Sequence, residues 1–328
     1  MGTFPFVIAH RGASGYAPEH THEAYKLAVE QGADAVEPDV VFSSDGVLVV
    51  RHENDLSSST NVSAKIEFAS RYGNQMMDGE VRSGWFAENF TWEELQTLSA
   101  TEPQASIRSE SASIHGLGLL RLADVLRRVS DADRRLSVVV EIKTPNFFEG
   151  QGFDIEAALL RELELAGWDK QDSRLVIESF EVTILRKLRE VGIGSAHYYL
   201  IDEEGTAPDQ QALLGAKALT YAEQRRMESL RSLSKSIDGI SIPISLFDTD
   251  EGAALVSLCH DLGLKVFCWT LRPENKFLPR QWRDGFDPRA WGNWQGYFSS
   301  IVETGVDGVF ADQPDLLVKL RSGVTDQP

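Results

Sequence analysis

A chain of 328 residues, 42% hydrophobic and 25% charged, has the composition of a folded globular protein able to bury a large core. Its 50 acidic against 32 basic residues give a net charge of −18, which argues against nucleic acid or an anionic membrane surface as a partner. No run is long and apolar enough to span a bilayer, and the length fits either two domains or one (β/α) barrel with insertions.

The opening Met1-Gly2-Thr3-Phe4-Pro5 runs into the first strand without a signal-peptide profile. As it stands, the sequence predicts a cytoplasmic protein, or a periplasmic or extracellular one if an export signal has been removed. The apolar run from about Phe6 to His10 predicts a buried strand, followed by a turn carrying Arg11, Gly12 and Gly15. Thr21 is placed to cap a helix running to about Gln31, and Gly32 closes it. A second strand is predicted from Ala35 to about Phe42, and Ser44-Asp45-Gly46 is a hairpin signal. The next apolar run, Val47 to Arg51, has no helix before it, so it must return antiparallel. That return brings His52 to roughly the level of Asp39.

From about residue 53 to 118 the strand–helix alternation is lost, and the stretch reads as an insertion placed as a cap over the barrel. Trp85, Phe86, Phe90 and Trp92 supply its small core, Thr91 to Glu94 is a capping box, and 106–113 reads as polar and mobile. Alternation then resumes, with strands beginning near 136, 174, 195, 238, 265 and 307. With the first two these make eight parallel strands, so the expected fold is a (β/α)8 TIM barrel in a single domain spanning 1–328. Cys259 and Cys268 lack metal spacing and read as buried free thiols.

In such barrels the working residues gather where the strands end. Glu37 and Asp39, two apart, share one face, and so do Glu141 and Lys143. Glu37, Asp39 and Glu141 offer three hard oxygen ligands, suited to one calcium or magnesium ion. Arg11 and Lys143 supply fixed positive charge for a phosphate oxygen. His10 and His52 can act as acid and base, because imidazole titrates near neutrality. Taken singly, each has a plainer reading: His10 as a hydrogen-bonded structural histidine, and Glu37 with Asp39 as a salt-bridge cluster with Arg11 and Lys143. Their convergence on one rim is what points to phosphodiester cleavage. Residues 149–154 read as a loop, and His20 and His22, two apart, as solvated residues at a helix entrance in preference to an extra metal-binding pair.

The segments His10-Arg11-Gly12-Ala13-Ser14-Gly15-Tyr16, Pro18-Glu19-His20-Thr21, Glu37-Pro38-Asp39, Arg51-His52 and Glu141-Ile142-Lys143 resemble the glycerophosphodiester phosphodiesterases. The likeness extends to Phe90-Thr91-Trp92-Glu93-Glu94-Leu95 and to the terminal Gly308-Val309-Phe310-Ala311-Asp312, and the long branch of the family is the nearer match. His22 departs from it, standing where the family is usually apolar. The resemblance implies a barrel with a capping insertion, a divalent cation on Glu37, Asp39 and Glu141, His10 and His52 as the acid–base pair, and Arg11 on the phosphate. It implies a route in which a glycerol hydroxyl attacks phosphorus and a cyclic intermediate is then hydrolysed, giving glycerol phosphate and an alcohol such as choline or ethanolamine. Phe180 and Trp269 are placed to hold the glycerol carbons or to fill the barrel mouth. Two other outcomes fit the same barrel: a phosphodiesterase for phospholipid or lysophospholipid, which would need an exposed apolar rim, and a non-catalytic metal and phosphate binder.

Overall fold

Short runs of β-branched and other apolar residues, buried at nearly every position, form the staves of a closed parallel barrel. The computed structural model describes residues 4–77, 79–194 and 196–323. In chain order the strands are β1 (Phe6–His10), β2 (Ala35–Glu37), β3 (Asp39–Phe42), β4 (Leu48–Val50), β5 (Gly73–Met77) and β6 (Glu80–Gly84), then β7 (Ser137–Ile142), β8 (Leu175–Ser179), β9 (Ala196–Leu200), β10 (Gly239–Pro243), β11 (Lys265–Leu271) and β12 (Gly308–Ala311). The order β2-β1-β12-β11-β10-β9-β8-β7-β3-β4, with β2 also paired to β7, closes the ring. Counting β2 and β3 as one interrupted stave gives the eight expected. The predicted start of the fifth stave, Ser195, and the leading residues Met1 to Thr3 lie outside the described residues.

The second stave is broken where the sequence reading ran one strand through. Pro38 has no N–H for the ladder, so β2 pairs with β1 and the foot of β7, and β3 pairs with the upper part of β7. The Pro38 carbonyl still accepts from Glu141 N at 3.0 Å, which holds the two strands in step across the break. The hairpin arm runs as predicted: Val40 faces Val50, Phe42 faces Leu48, and Arg51 N donates to Asp39 O at 3.1 Å. Thr21 caps the helix His22–Glu30 by accepting from Ala24 N.

Inside the barrel the lower layer is Ile8, Ala35, Val139, Tyr198, Phe267 and Phe310. Because alternate strand residues share a face, the positions two further along β1, β2 and β7 are His10, Glu37 and Glu141. The apolar plug therefore carries the site on top of it. Both cysteines are buried and free. Among the described residues no helix is long and apolar enough to cross a membrane.

Between β4 and β7 the chain builds the insertion. Phe86 and Phe90 are fully buried, and Trp85 donates its ring N–H to the Phe68 carbonyl at 2.8 Å. Phe68 and Phe90 belong to the same continuous apolar core as the barrel, with Trp85 packed against it, so the insertion is fused to the body of the protein. Two expectations change. The 106–113 stretch, expected to be mobile, contains a helical turn at Ser109–Ala112 and buries Arg108, whose guanidinium is consumed by ion pairs inside the fold. Residues 145–150, partly expected as loop, form the helix Pro145–Gly150.

Candidate active site

The register of the staves brings the predicted acids together. His10 lies beside Glu37 across β1 and β2, Asp39 beside Glu141 across β3 and β7, and Glu141 beside Glu178 across β7 and β8. Glu37, Asp39 and Glu141 are buried, and each offers an oxygen within 4.8 Å of the others. Asp39 Oδ1 receives no hydrogen bond among the described residues. A cavity of about 150 Å³ opens at the barrel mouth, lined by His10, Arg11, Glu37, His52, Glu141 and Lys143, with Phe180 and Trp269 on its far wall. Eight of the nine residues singled out in the sequence thus line one cavity, and the ninth, Asp39, is grouped with Glu37 and Glu141 of that lining.

The charges explain why the cluster suits a cation. Burial, and then the negative charges of Asp39 and Glu141, push the Glu37 carboxyl well above the usual range. Burial likewise pushes Glu141 up to about 8, against the pull of Lys143. Burial works against Asp39 too, but Lys143, a hydrogen bond from His20, His52 and Arg11 hold it well below the ordinary value. Three carboxylates this close cannot all ionise on the strength of their neighbours alone, and a hard divalent ion among them removes the conflict. The donor set fits calcium or magnesium in ligand type and in charge.

The cationic side chains are fixed by that same cluster. Lys143 Nζ lies 2.7 Å from Glu141 and 5.7 Å from the centre of the Phe180 ring. Arg11 donates to Glu19 at 2.7 Å and approaches Asp39 at 3.3 Å, while its backbone N–H donates to Glu37 Oε2 at 2.7 Å. Arg11 adopts φ 59°, a left-handed conformation uncommon for a side-chain-bearing residue, in the turn that aims it at the site. Phe180 and Trp269 meet edge to face with centroids 5.8 Å apart.

The two imidazoles are held differently. His10 donates from Nδ1 to Asp312 at 2.6 Å, so its neutral form leaves the lone pair on Nε2. Burial, and then Arg11, lower His10 to about 4. His52 pairs through Nδ1 with Glu53 at 3.0 Å and is more open to solvent, and its value is lowered by burial, Lys143 and Arg11.

Four residues of the site escape the sequence reading. Asp312 enters the sequence reading only as the last residue of a family-like segment, and its contact with His10 joins positions at opposite ends of the chain. Glu178 sits two residues before Phe180, so the two-residue rule applied to β8 would have found it. His20, read as solvated, is fully buried at φ 59°; it donates from Nε2 to Asp39 at 2.9 Å and accepts at Nδ1 from the Tyr25 hydroxyl at 2.8 Å. His22 is exposed, as read. Arg51 is entirely buried, 3.7 Å from Glu19, a cation beneath the acidic cluster.

Hard acidic ligands, fixed cations and paired imidazoles at the C-terminal mouth of a barrel define a hydrolase of phosphate esters. A sequence profile of the glycerophosphoryl diester phosphodiesterase family matches residues 10–316, and the chain belongs to that family. It is 30% identical to glycerophosphodiester phosphodiesterase GDPD6 of Arabidopsis thaliana, over 94% of this chain and 83% of that one. With the glycerophosphodiester phosphodiesterase of Treponema pallidum it shares 29% identity, over 95% of this chain and 90% of the relative. Among solved structures, an Oleispira antarctica phosphodiesterase in complex with the product sn-glycerol-3-phosphate superposes with a TM-score of 0.63 at 22% identity, covering 96% of each chain.

Proposed function

We propose that this glycerophosphodiester phosphodiesterase hydrolyses small diesters, such as glycerophosphocholine or glycerophosphoethanolamine, to sn-glycerol 3-phosphate and the free alcohol. The observation that carries the reading is the meeting of Glu37, Asp39 and Glu141 within 4.8 Å, beside a cavity that both His10 and His52 line. Glu37, Asp39 and Glu141 would hold one calcium or magnesium ion, whose contribution when bound is to offset the negative charge that builds on the phosphate. Arg11 and Lys143 hold the phosphate oxygens. Phe180 and Trp269 pack against the carbons of the glycerol group. As the attacking oxygen bonds to phosphorus its proton passes to one imidazole, and the other protonates the departing alcohol oxygen as the second P–O bond breaks. His10, neutral with its Nε2 lone pair, is prepared to accept a proton. A cavity of about 150 Å³ suits a glycerophosphoryl group better than a diacyl lipid.

The alternative, a lysophospholipid phosphodiesterase, needs exposed apolar surface at the mouth for an acyl chain. Met76 and Val81, cross-strand neighbours on the β5–β6 hairpin, are exposed, and Arg82 of that hairpin lies 3.7 Å from Glu53, beside His52. Because paired positions alternate faces, these apolar side chains lie on the hairpin face opposite Arg82, turned away from the side that meets Glu53. Glycerol phosphate release from glycerophosphocholine, with and without a chelator, tests the first reading. Release that requires the metal is expected. Headgroup release from lysophosphatidylcholine alone would favour the second reading, and no turnover of either substrate with metal present would leave a non-catalytic binder.

A further inference from the structure

Asp312 is a three-way junction. Its Oδ1 accepts from His10 at 2.6 Å, while its Oδ2 accepts from Arg108 at 2.7 Å and from Arg272 Nε at 2.6 Å. Arg108 comes from the insertion, and every arm of its guanidinium is used. Nε donates to Glu274 at 2.8 Å and a terminal nitrogen donates to the Ser14 carbonyl at 3.1 Å. Gln313 donates to the same Glu274 oxygen at 3.1 Å, and the Ser14 hydroxyl donates to the His10 carbonyl at 2.8 Å. Arg108 therefore grips both the carboxylate on the His10 ring and the turn that follows the His10 backbone. Its side chain is 6% exposed, against 26% for that of Arg272, so Arg108 is the cation least screened by solvent.

We propose that Arg108 is a positioning residue for His10, through which the insertion sets the orientation and tautomer of the imidazole. A carboxylate that must hold an Nδ1–H at a fixed angle needs its own second oxygen fixed. The bidentate-capable fork of Arg108, anchored on Glu274 and Ser14, provides that anchor from outside the barrel. Without it, Asp312 keeps only the partly exposed Arg272 and is free to rotate away from His10. The insertion thus has a task beyond covering the mouth. The inference rests on His10 acting in proton transfer, as proposed above, but its structural half can be read without turnover.

The test uses the full chain with Arg108→Ala and Arg108→Lys. For Arg108→Ala, kcat on glycerophosphocholine is expected to fall by about 10- to 100-fold with KM and calcium affinity little changed, because the metal ligands are untouched. Nitrogen-15 spectra of the imidazoles should show His10 passing from one Nδ1–H tautomer to a mixture. A cavity of about 380 Å³ borders Arg108 between Tyr16, Glu110 and Trp291, so guanidinium ion well below denaturing concentration should enter Arg108→Ala and restore part of the lost kcat. Arg108→Lys keeps the charge without the fork and should fall between the two; if Arg108→Ala does not fold, this variant carries the comparison. Wild-type kcat together with an unchanged His10 spectrum in either variant overturns the proposal, as does a loss matched by unfolding that guanidinium does not restore. If the wild-type enzyme fails on glycerophosphocholine while the His10 spectrum still responds to Arg108, the substrate reading fails and the positioning stands.

Discussion

His10 and His52 reach the cavity from opposite partners, Asp312 behind one and Glu53 behind the other, and among the described residues neither hydrogen-bonds to Glu37, Asp39 or Glu141. Alanine at either position should therefore separate binding from chemistry. Calcium or magnesium affinity by calorimetry should stay near the wild-type value, while kcat/KM drops by on the order of 10²- to 10⁴-fold. Undiminished turnover would remove that residue from the mechanism. Glu178 offers a second test of the electrostatics. It is 1% exposed, its Oε2 has no hydrogen-bond partner among the described residues, and burial with the charges of Glu141 and Asp39 pushes its carboxyl well above the usual range. That direction favours the protonated carboxyl, so Glu178→Gln, equal in shape, is expected to leave the melting temperature of the chelator-treated enzyme within a few degrees. A large fall in melting temperature would mean that the group is ionised and relied upon as an anion.

The turn between β1 and the helix His22–Glu30 shows how an element's geometry reaches the chemistry. Gly12 has φ +82°, and a Cβ there would lie 2.7 Å from the Ala24 carbonyl carbon, where backbone cannot yield cheaply. Gly12→Ala should lower unfolding free energy in denaturant by about 1–3 kcal/mol, and a neutral result would show that the turn can relax. What was readable in the sequence follows the same division between local and remote causes. Thr21 caps its helix, Gly46 turns its hairpin and alternate residues of β1, β2 and β7 line the barrel because these depend on neighbours a few residues away. The pairing Glu37–Asp39 was legible for that reason, although Pro38 between them broke the strand that was expected to run through. The burial of His20 was not legible, because a residue one place before a helix cap is buried only if another strand, here β3, passes over it. Nor was Arg108: its partners Glu274 and Asp312 are 166 and 204 residues away, and nothing in a polar stretch announces which arginine will be drawn inside.

Across the whole molecule, a net charge of −18 makes the basic residues at the mouth a local exception, and the buried acids there tie folding to pH. Glu141 titrates at about 8 in the fold against an ordinary 4.5, so the native state holds a proton that the unfolded chain has lost. That stabilisation is complete below the unfolded value and disappears as pH rises through the folded one. Glu37 and Glu178, also pushed up, act in the same direction. His10 and His20 act in the opposite direction: each is lowered from 6.5 to about 4 by burial, so their contribution is complete above 6.5 and lost as pH falls through 4. At pH 6.5 an unfolded histidine is still half protonated, so these two, with His52 and His197, whose values are also lowered, oppose the carboxyls near 6.5 and fade toward pH 8. The metal-free protein should therefore lose stability as pH rises from about 7.5 to 8, by up to about 1.4 kcal/mol per pH unit for each such carboxyl. A divalent cation takes the place of the protons, so a saturating concentration should both raise stability and flatten the slope. Unfolding free energies measured from pH 6.5 to 8, with chelator and then with calcium or magnesium, decide the matter. A flat metal-free profile would mean that the acids are ionised without a cation, and a slope undiminished by added metal would place the ion somewhere other than Glu37, Asp39 and Glu141, since only the share of Glu178 should persist.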